Sequence, residues 1–132
     1  HSWVGDLVIK LFSPGDAKVL TLMSIPGKLE PADDGLTATG NWANLEVASP
    51  LLFRDAGLTD AEEMGVPLGN SDVVCKTDGL CDYFPNPGTG PGMKFTDFAG
   101  GQSMGMWSLC VGDAAGGDLG TINAVTLTLF LQ

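Results

Sequence analysis

Histidine is scarce in this 132-residue chain: there is one, at position 1. A Ser–His–Asp or Cys–His site needs an imidazole to shuttle a proton, so the usual hydrolase constellations have only a terminal residue to draw on. Basic residues are few as well, 6 against 16 acidic, which leaves a formal net charge of −10. Such a surface repels nucleic acid and anionic lipid. Apolar runs are short: the longest, Ala124 to Leu131, is interrupted by Thr126 and Thr128, against the ~18–20 residues of a membrane span. GDAAGGDLG has glycines but no P-loop lysine and no helix after it to receive phosphate. The carboxylate pairs Asp33-Asp34 and Glu62-Glu63 stand in no pattern that implies a cleft. The sequence therefore predicts no catalysis, no nucleic acid partner and no membrane span.

Glycine, by contrast, is abundant at 19 residues, with 8 prolines, and hydrophobic residues make up 44% of the chain. Without a Gly-X-Y period, this composition describes one domain, residues 1–132, of short strands between turns. Leu7, Ile9 and Leu11 alternate with Val8, Lys10 and Phe12 as a strand does. SPGDAK supplies a hairpin turn, and Val19 to Met23 returns as a second strand. Residues 26–44 read as loop, Leu45 to Phe53 as a short strand broken by Pro50, and TDAEE as a capped helical turn. DYFPNPGTGPGMKF reads as irregular, because its prolines and glycines break ladders and helices alike. Alternation resumes from Met106 to Val111, with Trp107, Leu109 and Val111 on one face. The last strand is read over Thr121 to Leu131. The pattern is all-β, a β-sandwich with long Gly/Pro-rich loops.

Cys75 and Cys81 flank the turn-forming Asp78-Gly79 in VVCKTDGLCDY, a loop that a disulfide closes easily. The spacing is not a zinc pattern, and the expected compartment is oxidising and extracellular. Cys110 is left over, read either as a buried thiol or as half of a bridge to a segment upstream of His1.

HSWVGDLVIKLFSPGDAKVLTL and GMWSLCVGDAAGGDLGTINAVTLTLF resemble the two ends of the P domain, or Homo B domain, of kexin-like and furin-like proprotein convertases and related secreted bacterial proteins. LLFRDAG and FTDFAGGQSMGMW are similar to its middle segments. The resemblance implies a jelly-roll β-sandwich without catalytic residues, which supports a protease domain or serves as an extracellular module. The family's opening strands are absent before HSWVGDL. The chain, which begins without Met, is thus expected to have lost or to borrow them, the missing strand lying beside Leu7–Phe12.

Calcium is the cofactor to consider, because it takes loop carboxylates and carbonyls. Asp6, Asp113 and Asp118 are its candidate ligands, each in a motif that carries the resemblance; Asp33, Asp34, Asp55, Asp60, Glu62 and Glu63 form two further acidic groups. No recognised calcium-loop spacing occurs, and an Asp in a turn more commonly caps backbone N–H groups. Trp107 and Trp3 are in phase with core positions and expected to be buried; Trp42, Tyr83 and Phe84 are left as candidate binding aromatics, for instance for a sugar. Two roles follow: a self-assembling or adhesive extracellular module that pairs with a protein partner or its own copies by strand addition, or an accessory domain of a secreted subtilisin-like protease.

Overall fold

β1 (Leu7–Phe12) is the centre of an antiparallel sheet, with β2 (Val19–Ser24) on one side and β6 (Ser108–Asp113) on the other. The computed structural model describes residues 1–28, 40–85 and 92–130. A second sheet is made of β3 (Leu52–Phe53), β4 (Thr59–Asp60) and β5 (Asp82–Phe84), in the order β3-β5-β4 with parallel pairing. Among the described residues the regular structure is thus mostly short strands in two small sheets, and the helical pieces are all single 3-10 turns. None is long and apolar enough to cross a membrane.

Ser13-Pro14-Gly15-Asp16 makes the expected turn between β1 and β2, with Pro14 opening a 3-10 turn and Gly15 at φ 69°. Glycine tolerates that left-handed backbone without a steric cost. The pairing of β1 with β2 slips between Ile9 and Lys10, where the partner passes from Met23 to Thr21. This bulge sits in a strand whose residues Leu20 to Ser24 are all buried.

One face of β1 organises the interior. Leu7 belongs to a cluster with Val4, Met23, Met64, Val74 and Tyr83, and Leu11 to a cluster with Leu20 and Leu22. Ile9 lies between them and touches both, as does Phe53 from the second sheet. Burying side chains of this size contributes roughly 1.5–3 kcal/mol each, the main force holding the sheets together. The period-2 alternation of β1 is what lets three apolar residues reach one core.

The predicted helical turn is present as Ala61–Glu63, capped by Asp60, whose Oδ1 accepts from the Glu62 N–H at 2.9 Å. Arg54 grips Asp82 through Nε and Nη2, tying the end of β3 to the start of β5. That hydrogen bond, with the guanidinium charge, holds the Asp82 carboxyl below its usual range. Gly57 lets the chain pass directly over β5: a Cβ there would meet the Tyr83 carbonyl carbon at 2.1 Å.

Four expectations are corrected. The stretch beginning Asp82 is not wholly irregular, since Asp82–Phe84 forms β5 ahead of Pro85. Of Leu45 to Phe53, only Leu52–Phe53 is strand; Asn44 instead makes an isolated bridge to Val73. The position beside β1 is not vacant, because β2 and β6 occupy both of its edges. The chain start is itself held by main-chain bonds: His1 and Leu45 exchange a pair of 3.1 and 2.8 Å, Val4 N–H donates to Ala43 and Gly5 N–H to Asn41. Finally, residues 121–130 form no strand. Their alternation marks them as able to pair, but no described strand pairs with them. Asp33, Asp34, Leu131 and residues 86–91 lie outside the described residues.

Candidate functional site

The residue types of a hydrolase do meet near the chain start, and their wiring is not that of a nucleophilic site. His1 Nδ1 accepts from the Trp3 N–H at 3.1 Å, so Nε2 carries the proton and donates to Asp113 Oδ2 at 3.3 Å. Neither ring nitrogen is left to take a proton from a hydroxyl. Ser2 Oγ donates to Asp118 rather than to the imidazole. These contacts hold the first residues against the end of β6 and the segment after it, and Gly120 approaches the His1 ring too closely for a Cβ, which would lie 2.5 Å from Cδ2.

The structure brings Asp6, Asp113 and Asp118 together around this corner. Asp6 is 1% exposed, and its Oδ1 has no hydrogen-bond partner among the described residues. Burial raises its carboxyl above the usual range, and the charges of Asp113 and Asp118 raise it further. Each of the other two carboxylates has its own partner, His1 for Asp113 and Ser2 for Asp118. Among the described residues no group of three or more His, Cys, Asp or Glu is arranged to hold a metal ion, this set included. Three other acidic residues serve the loops. Asp55 accepts from the N–H groups of Phe95 and Thr96 at 2.5 and 2.9 Å, Asp60 caps its turn, and Asp78 Oδ1 accepts from Cys75 and Leu80 at 2.8 and 3.0 Å.

Cys75 and Cys81 are joined by a disulfide. Cys110, expected to be buried or bridged, is instead an exposed thiol on β6. The aromatic candidates divide. Tyr83 is fully buried, its hydroxyl donating to the Leu80 carbonyl at 2.8 Å, and Phe84 is half-buried. β5 turns Tyr83 into the first core cluster, and Phe84, its neighbour on the strand, points to the opposite face. Trp42 is 55% exposed and stacks on Trp3, with ring centroids 6.2 Å apart and planes at 16°. Trp3 is half-buried rather than core. Trp107 is half-buried too, edge-on to Phe98 at 5.2 Å, with its indole N–H donating to Ser103.

What the sequence reading missed is the exposure of β6. Leu109 packs on the second cluster, but Cys110, Val111, Gly112 and Asp113 are all exposed, on both faces of the strand. A strand inside a sandwich has at least one covered face. β6 is also the outer strand of its sheet, so one side of its backbone has no ladder partner within the described residues. Beyond it, Leu119, Ile122, Val125, Leu129 and Phe130 are exposed, Phe130 to 89%, and of this segment only Leu127 packs against the core. The sequence signal for this was present in the combination of a strongly apolar segment and too few strands to cover it. Compared with known proteins, the chain matches no family model, no curated protein and no solved structure.

Proposed function

We propose that the chain is a non-catalytic extracellular module of the P-domain type, a jelly-roll β-sandwich once its open strand is covered, with a structural role in protein assembly. The observation that carries this reading is the pairing of two features: β6 is an edge strand with no outer ladder partner among the described residues, and the segment after it exposes Leu119, Ile122, Val125, Leu129 and Phe130. Exposed apolar patches of this extent mark interaction sites, and an unpaired strand edge recruits extended backbone from a partner. The Cys75–Cys81 disulfide supports an oxidising, extracellular location. The His1 wiring supports the absence of hydrolysis, since its ring nitrogens are both engaged. Sedimentation velocity over a wide concentration series tests the reading: association that grows with concentration is expected, and a chain that stays monomeric throughout overturns it.

A second reading, an accessory domain of a secreted subtilisin-like protease, draws on the same uncovered β6, which a neighbouring domain of one polypeptide would cover. Intact mass of the native protein separates the two, because the protease reading requires a far longer chain with its own catalytic residues.

A further inference from the structure

We infer that the occupant of the open β6 edge is the segment 121–130 of a second copy of this chain, added as a strand. The inference rests on the assembly reading above and names its donor and acceptor. The acceptor is an edge without a ladder partner among the described residues, and it is unguarded. Natural edge strands are blunted by Lys, Pro or inward charges, whereas SLCVGD has no Lys, Arg or Pro, and its one charge, Asp113, is paired with His1. The donor has the matching properties. TINAVTLTLF alternates apolar and polar residues and is rich in the β-branched types that fill strands. From Leu119 to Gln132 the sequence carries no Asp, Glu, Lys or Arg. In a chain of net charge −10, two acidic bodies repel, and a charge-free segment is the part that approaches a second copy without that penalty.

The segment does not fill the edge of its own β6. After Asp113 the chain bends through residues 115–117, Asp118 is held by Ser2 and Gly120 lies against the His1 ring, and residues 121–130 form no ladder with β6. Leu127 is its single attachment to the second cluster, so releasing the segment to a neighbour gives up little of its own fold. Each copy thus carries one donor and one acceptor. Reciprocal donation closes a dimer, and one-way donation builds a head-to-tail chain.

Cys110, exposed on the acceptor strand, provides the probe. Wild-type chain would be mixed with Cys110→Ser chains that carry Asn123→Cys, Val125→Cys or Leu127→Cys, and oxidised mildly. The expected result is a mixed disulfide between the two kinds of chain that peaks at one of these positions. Alongside it, Thr126→Pro, which removes a backbone donor from a segment outside both sheets, should weaken association by about tenfold or more while leaving the circular dichroism unchanged. Association that persists undiminished in Thr126→Pro, with no mixed disulfide at any position, overturns the inference and leaves the assembly reading standing. A wild-type chain that never associates overturns the assembly reading itself.

Discussion

Replacing Tyr83 separates a core residue from a ligand contact. Its ring is fully buried among Val4, Leu7, Met23, Ala43, Met64 and Val74, with Phe53 tilted against it at 6.3 Å. Its hydroxyl donates to the Leu80 carbonyl, the residue before Cys81, so one side chain links β5 to the disulfide loop. Burial pushes the phenol far above its usual range, so the hydroxyl keeps its proton at all ordinary pH. Tyr83→Phe removes only the hydrogen bond and should cost about 1 kcal/mol, with a partly shielded Leu80 carbonyl setting the upper end near ~2 kcal/mol. Tyr83→Ala also removes the ring from the centre of the first cluster and should cost about 3–5 kcal/mol, a large share of the roughly 5–15 kcal/mol that stabilises a domain of this size. Urea denaturation read by Trp fluorescence gives both values, and the slope with denaturant should be unchanged in Tyr83→Phe. An alanine variant that loses less than about 1 kcal/mol would refute the placement of this ring in the core.

Three further outcomes follow from the same framework. Reducing the Cys75–Cys81 bridge should lower stability by about 2 kcal/mol from loop-closure entropy, and alkylation of native protein should reach Cys110 alone; three reactive thiols would contradict the bridge. Asp60→Ala should cost about 1 kcal/mol through loss of its bond to the Glu62 N–H, and an unchanged midpoint would mean the turn needs no cap. Asp6, with a folded pKa raised by burial and by Asp113 and Asp118, binds its proton more tightly folded than unfolded. Its share of stability is full below the unfolded carboxylate range and is lost as pH rises through the folded pKa. Asp6→Asn should therefore match wild type in acid and exceed it at neutral pH; the opposite order would show that the charged carboxylate has a stabilising partner.

Much of the local structure was legible because it depends on near neighbours. The alternation Leu7, Ile9, Leu11, the Ser-Pro-Gly-Asp turn and the capped TDAEE turn are each written within a few residues, and each forms where the spacing places it. The errors come from residues whose state depends on distant ones. Thr121–Phe130 has the pattern of a strand, but a strand exists only with a partner, and the pattern does not say whether the chain supplies one. The strand context of Cys110 fits a buried thiol as well as a bridge to an upstream segment, yet burial depends on a second layer over β6 that is absent among the described residues. Tyr83 and Phe84 sit beside Pro85 in a Pro/Gly-rich stretch, and composition hid a three-residue strand, too short to show a period. Asp6, Asp113 and Asp118 were linked in the sequence only through the motifs that carry the P-domain resemblance; their wiring to His1 and Ser2 was not legible, because it depends on how the first residues lie against the end of β6.

Hydrogen exchange measured against protein concentration addresses the assembly claim at the residues that carry it. If β6 and residues 121–130 pair between copies, the outward-facing amides of Leu109 to Asp113 and alternate amides of Ile122 to Phe130 should slow together as concentration rises, while β1 and the β6 amides bonded to it stay unchanged. Association without slowing at either segment, or fast exchange of both at every concentration, would contradict it.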